Sequence, residues 1–284
     1  MLIDINGTNV HVVREGSGTP LVIPSLAGTP IYERTFSPRL REYLTLVFVE
    51  LRANRADPGE PDLTLDRVLD DLDAVRATLG YDRISVLGHS AHSILALAYA
   101  AQYPSHTDRV VVVGGPASTR PSTEMDMLHE AYWDTVASPE RKQFQADLEA
   151  AYDPTLPRTP SEALIAQYVT NGPRTWYDPS FDCTPLWEGH DNLDLDLIMR
   201  FWGPDGMFQR FDSEVGLPGI SCPVLIAMGA FDFLCPPILW AGLHQRLAHH
   251  TFHTFERSGH LPHVDEQDHF DEVLLKWMGV DPAG

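Results

Sequence analysis

The stretch that decides the fold is Ile84-Ser-Val-Leu-Gly-His-Ser-Ala-His-Ser93. An apolar, β-branched run ends at Gly88, a serine follows two residues later, and Ile94 to Tyr103 is a helix-forming run. The pattern predicts strand, sharp turn and helix, with Ser90 at the apex. Such a turn exposes a side chain beside unpaired backbone N–H groups, which suits a nucleophile and the oxyanion it creates. The usual form is Gly-x-Ser-x-Gly, and here His92 stands in place of the last glycine.

Strand and helix patterns alternate on both sides of this stretch. Leu2–Ile5 and Asn9–Glu15 flank Asn6-Gly7, a hairpin signal. Leu21–Pro24 is a short apolar run that ends in the turn cluster Ser25-Leu-Ala-Gly-Thr-Pro30. Ile31–Glu42 reads as a helix and Leu44–Val49 as a buried strand. Leu65, Val68, Leu69, Leu72, Val75 and Leu79 recur at helical spacing. Arg109–Val113 is another strand. Pro223–Ala230 and Thr251–Glu256 are strands, and Ile238–Leu247 and Phe270–Met278 are helices. After the hairpin, this alternation implies an α/β fold: a mostly parallel central sheet with helices on both faces.

The alternation stops near residue 119. Residues 121–217 read as mostly helical and hold 18 Asp and Glu against 6 Lys and Arg, with four of the six tryptophans. The simplest organisation is a core over residues 1–118 and 218–284, interrupted by a helical cap over 119–217.

The chain of 284 residues carries a formal net charge of −20. Phosphates would be repelled, so nucleic acid and anionic membranes are not expected partners. The apolar runs are too short to span a bilayer, and the N-terminal residues lack a leader pattern, so a cytoplasmic location is expected. Three cysteines show no metal-like spacing; Cys222 and Cys235 read as small buried hydrophobes. No His, Cys or carboxylate spacing argues for a metal, and no cofactor is expected. The expected partner is a small-molecule substrate; the oligomeric state is left open.

In open α/β sheets, sites form at the carboxyl ends of strands. Three reactive residue types fall there. Ser90 follows the Ile84 strand, Asp232 the Pro223–Ala230 strand, and His260 the Thr251–Glu256 strand. A serine hydroxyl needs a base to take its proton. Imidazole titrates near neutrality and can accept that proton and later return it. A carboxylate on its other nitrogen fixes the tautomer. His263 is an alternative base; Ser-Gly-His places His260 at the flexible strand end.

On these residues the chain resembles the α/β-hydrolase fold family over nearly its whole length, and within it the proline iminopeptidase-like branch. Gly229-Ala-Phe-Asp232-Phe-Leu-Cys-Pro236 resembles that branch's acid segment, and Ser258-Gly-His260 with Pro262 and Glu266 its histidine loop. Glu50-Leu-Arg52 sits where the family commonly has Asp-x-Arg-Gly. The resemblance implies a serine hydrolase in which Ser90 attacks, His260 is base and then acid, and Asp232 orients His260. The expected substrate is a small ester, lactone or amide. A prolyl-type aminopeptidase, carbon–carbon bond hydrolysis, and a repurposed ligand binder with a damaged oxyanion hole are the alternatives.

Two departures from the family pattern stand out. The loop that normally reads His-Gly-x is here Ser25-Leu26-Ala27-Gly28. Its task is one backbone N–H for the oxyanion, so the task does not depend on side-chain identity. Position points to Ala27, with Leu26 as the one-off alternative, and the second donor is the amide of Ala91. His92 is the other departure: it is either a hydrogen-bonded structural histidine or a second ionisable ring near the nucleophile. His89 occupies a slot that the family usually fills with a packing residue. Glu188 and Glu214 are loose candidates for binding a substrate amine.

Overall fold

A computed structural model describes residues 1–5, 8–26, 30–51, 64–120, 122–189, 195–203 and 205–280. Strands β1 (Leu2–Ile5) and β2 (Thr8–Gly16) pair antiparallel, and β2 pairs antiparallel with β4 (Leu44–Glu50). From β4 onward the sheet is parallel, through β3 (Thr19–Ser25), β5 (Ile84–His89), β6 (Thr107–Val113), β7 (Val224–Gly229) and β8 (His250–Phe255). The spatial order is β1-β2-β4-β3-β5-β6-β7-β8. Chain direction through the sheet therefore reverses between β3 and β5. In an open α/β sheet, the carboxyl ends of the strands at such a reversal are where a crevice forms.

Alternation along the strands divides the core in two. Val110, Val112, Ile226 and Met228 face one layer with Val68, Leu72, Leu95 and Tyr99. Val111, Val113, Leu225 and Ala227 face the other with Leu40, Phe270 and Leu274. The first layer is covered by α3 (Leu65–Thr78) and α4 (Ser93–Gln102), which follow α1 (Pro30–Thr35) and α2 (Pro38–Tyr43) in the chain. The second is covered by α1, α2 and the C-terminal helix. Both faces of the sheet are dry, which is why its strands read as near-continuous apolar runs.

Between β6 and β7 lie α5 (Thr123–Val136), α6 (Pro139–Ala151), α7 (Pro160–Thr170), α8 (Gly172–Thr175), α9 (Leu195–Trp202) and α10 (Ser213–Gly216). The chain closes with α11 (Pro262–Asp265) and α12 (Gln267–Met278). No helix among the described residues is long and apolar enough to cross a membrane.

Two expected helices differ from the reading of the sequence. The segment 31–42 is two short helices, because Pro38 forces Ser37 into extended backbone, where its hydroxyl caps α2 by accepting from the Leu40 amide. The segment 238–247 is two 3₁₀ turns, Pro237–Trp240 and His244–Arg246. Gly242, at φ +79°, breaks the run between them. The Asn6-Gly7 turn and Arg52 lie outside the described residues.

Candidate active site

The β5–α4 turn places Ser90 at φ +55°, the one non-glycine residue with positive φ among the described residues. A left-handed backbone costs an L-residue about 1–2 kcal/mol. The cost is tolerated here because the turn is clamped by its neighbours. A Cβ on Gly88 would lie 2.3 Å from the His92 carbonyl oxygen, so only glycine lets the chain fold back on itself. One strand over, Gly114 has φ +50°, and a Cβ there would lie 2.2 Å from the carbonyl oxygen of His260.

Asp232 and His260 form a buried pair. His260 Nδ1–H donates to Asp232 Oδ2 at 2.8 Å. The other carboxylate oxygen accepts from the amides of Leu234 and Cys235 at 2.9 and 2.8 Å. Three donors thus fix a fully buried carboxylate in one orientation. With Nδ1 engaged, Nε2 of His260 is the nitrogen left to accept a proton. Ser90 and His260 line the same cavity. Among the described residues no hydrogen bond joins the two side chains; catalytic bonds of this kind often tighten only with substrate present.

The histidine loop is held from several sides. Glu266 accepts from the Ser258 hydroxyl at 2.7 Å and the Arg257 amide at 2.8 Å. Asp265 Oδ2 accepts from the Gly259 amide at 2.8 Å and, across the interface with the helical insertion, from the Tyr177 amide at 3.2 Å. The His260 amide donates to the Thr175 carbonyl at 2.7 Å, and the Phe233 amide to the Arg174 carbonyl at 3.0 Å. Residues 174–177 therefore touch both the acid loop and the histidine loop. Buried Arg141 gathers that segment by donating to the carbonyls of Pro173, Trp176 and Tyr177. Nothing in the spacing of Thr175, Asp265 or Arg141 marks them, since their partners are backbone groups, which any residue type supplies.

The structure places the remaining candidates as follows. His263 is buried, stacks on Phe36 with ring centroids 4.6 Å apart, and makes no contact with Asp232 of the kind His260 makes. Burial, with His260 adding to it, pushes its pKa down to about 3. Glu188 and Glu214 are exposed: the Glu188 carbonyl accepts from Arg34, and the Glu214 carboxylate pairs with Arg246. Neither lines the cavity. Ala27 lies outside the described residues. The Leu26 amide is not free: it donates to His92 Nε2 at 3.1 Å.

His92 is buried, and burial lowers its pKa to about 4. Its ring lies beneath the end of β3, edge-on to Tyr32, Trp202 and Phe208. Nδ1 of the ring meets the Tyr32 hydroxyl at 3.1 Å. The same hydroxyl lies 3.3 Å from His89 Nδ1, and His89 Nε2 lies 3.1 Å from the carbonyl oxygen of His260. Burial first, then the neighbouring His260 and His263 rings, hold His89 well below the usual imidazole range.

The cavity walls are apolar and aromatic, with Ile31, Tyr168, Trp176, Leu186, Trp187 and Trp202 facing the histidines and Ser90. Among the described residues no Asp, Glu, Lys or Arg lines it. Its volume is about 80 Å³. One water needs roughly 10–15 Å³ by that measure, so the space suits a group of a few non-hydrogen atoms. No cluster of three or more His, Cys, Asp or Glu suited to a metal occurs among the described residues.

Comparison with known proteins agrees with this architecture. A family model described as alpha/beta hydrolase fold matches residues 36–267. The AB hydrolase superfamily protein YclE of Bacillus subtilis is 29% identical over 269 residues, covering 93% of each chain. A proline iminopeptidase of Heyndrickxia coagulans is 26% identical over 96% of each. Among solved structures, the enol-lactonase of Burkholderia xenovorans superposes with a TM-score of 0.70 at 17% identity, over 98% of this chain and 100% of that one.

Proposed function

The chain belongs to the α/β-hydrolase fold family, and from that premise we propose that it is a serine hydrolase acting on small, neutral esters or lactones. The observation that carries the reading is the Asp232–His260 pair at 2.8 Å, whose histidine lines one apolar cavity with a serine held at φ +55°.

The chemistry follows from those positions. Ser90 Oγ bonds to the carbonyl carbon of the substrate while its proton passes to Nε2 of His260. Asp232 holds the resulting imidazolium in place through Nδ1. The negative charge on the carbonyl oxygen is met by backbone N–H groups, of Ala91 directly after the nucleophile and of Ala27 from the β3 loop. Collapse expels the alcohol, which takes the proton from His260. Water then attacks the acyl-serine by the same route, with His260 as base, and the acid product leaves.

Amide cleavage at an N-terminal proline is the second reading, favoured by the proline iminopeptidases among the relatives. An aminopeptidase needs an anionic group for the substrate's ammonium. The described cavity wall offers aromatic rings and no carboxylate, which favours uncharged substrates. The same triad would serve carbon–carbon bond hydrolysis.

A fluorophosphonate probe tests the reading. The wild type is expected to label and Ser90→Ala not to. A folded wild type that resists the probe would overturn the reading in favour of a binding protein. Parallel assays with p-nitrophenyl acetate and proline p-nitroanilide separate the two substrate classes. Efficient ester cleavage with no anilide cleavage is the expected outcome, and the reverse pattern would make it an aminopeptidase.

A further inference from the structure

We propose that Tyr32, His89 and His92 form a one-way hydrogen-bonded chain that ties the end of β3 to the loop of His260, and that the three act as positioning residues for the proposed serine hydrolase. The inference rests on that functional reading only for its kinetic consequence; the chain itself is a statement about proton positions.

The direction of the chain is forced from both ends. At one end the Leu26 amide can only donate, so His92 Nε2 must accept. A neutral imidazole has one donor and one acceptor, so His92 carries its proton on Nδ1 and donates it to the Tyr32 oxygen. At the other end the carbonyl of His260 can only accept, so His89 Nε2 must donate. His89 Nδ1 is then an acceptor, and the Tyr32 hydroxyl supplies its proton. The two deductions start 234 residues apart in the chain and meet at one hydroxyl with the same answer. Reversing the Tyr32–His92 link would leave His92 with no proton, reversing the Tyr32–His89 link would put two protons on His89, and reversing either outer link would set donor against donor or acceptor against acceptor.

The consequence is geometric. The β3 end must present its loop to the substrate oxygen, and its last described residue, Leu26, is buried and anchored to the helix that follows Ser90. The usual glycine at position 92 could make no such anchor. The chain also grips the carbonyl of His260, whose amide is held by Thr175. One polar thread thus sets the spacing between the end of β3, the nucleophile turn and the base. The rings stay neutral, so neither His89 nor His92 competes with His260 for the serine proton.

Long-range ¹H–¹⁵N spectra of the wild type at pH 7 read the ring tautomers, with signals assigned by their loss in His89→Gln and His92→Gln. The expected result is an Nδ1-protonated His92 and an Nε2-protonated His89. The opposite tautomer at either ring, or a charged His92, would overturn the chain whatever the enzyme does. Steady-state kinetics on p-nitrophenyl acetate read the positioning. His92→Gly is expected to lower kcat about 100-fold with KM changed less than about threefold, comparable to the loss of an oxyanion donor. His92→Gln keeps a side-chain oxygen able to accept from an amide and is expected to recover about tenfold. Tyr32→Phe, which breaks the middle link without opening a cavity, is expected to lower kcat about tenfold. A kcat within twofold of wild type for folded Tyr32→Phe would overturn the positioning role. If the wild type fails to label with fluorophosphonate, the hydrolase reading falls while the tautomers still decide the chain.

Discussion

The two sides of Ser90 are built by different means. On the β7–β8 side, Asp232 and His260 are charged or chargeable groups held by backbone amides and carbonyls: Leu234 and Cys235 on the acid, Thr175 on the histidine. On the β3 side, the strand end is held by side chains, with His92 binding the Leu26 amide and Tyr32 and His89 completing the connection. Backbone supports tolerate sequence change, and the Leu234 and Cys235 amides belong to a recognisable local motif around Asp232. Side-chain supports come from two segments far apart in the chain and leave none. The difference predicts that the first side fails by loss of chemistry and the second by loss of alignment.

The largest effect is expected at the nucleophile. Ser90→Ala should abolish probe labelling and lower kcat by at least about 10⁴-fold, as removal of a triad nucleophile does. Ser90→Gly should be equally inactive yet more stable, by roughly 1 kcal/mol, because glycine adopts the left-handed backbone without strain. Thermal unfolding of the two variants checks this. A Ser90→Gly protein that melts below Ser90→Ala would mean the turn is not strained.

Asp232→Asn comes next. The amide keeps an oxygen for Leu234 and Cys235 but offers an NH₂ to His260, which forces the wrong tautomer. A fall in kcat on the order of 10⁴ is expected, with unfolding unchanged within about 1 kcal/mol. A fall no larger than that of His92→Gly would erase the distinction between the two sides.

How much of this was legible follows the same division. The alternating strands, the Ser90 turn and the strand-end positions of Asp232 and His260 are all local patterns, and each lies where the sequence places it, whereas the helix expected over 238–247 is two 3₁₀ turns. The helix expected over 31–42 is divided by the extended Ser37 ahead of Pro38, a one-residue effect inside a helical pattern. The destination of the His92 ring was not legible. Its partners Leu26 and Tyr32 lie 66 and 60 residues away, and the turn motif says only that a glycine is missing. Ala27, the first choice for the oxyanion loop, falls outside the described residues. Leu26, the alternative, has its amide directed at His92. The grip of the helical insertion on the triad loops was equally silent, because Thr175 acts through its carbonyl.

The smallest expected effect lies at Asp265, where the backbone-held side meets the insertion. Burial raises its pKa to about 6, against the hydrogen bonds from Gly259 and Tyr177 that favour its charge. The unfolded chain ionises this group near 4, so between about pH 4 and 6 the folded state binds more protons than the unfolded state. Stability contributed by Asp265 is therefore complete below about pH 4 and lost as pH rises through about 6. Asn at this position presents an uncharged oxygen to the same two amides, since both bonds end on Oδ2. Asp265→Asn should match the wild type near pH 4 and gain on it up to pH 7, by at most about 3 kcal/mol for a shift of some two units. His92 supplies the contrast. Its depressed pKa makes its contribution complete above about 6.5 and lost as pH falls through about 4. His92→Gln should thus narrow its deficit against the wild type on acidification, while Asp265→Asn narrows its advantage. Urea melts of both variants at pH 4.5 and 7 measure the two slopes. Slopes of the same sign would show that the two sides of Ser90 do not carry opposite proton linkage.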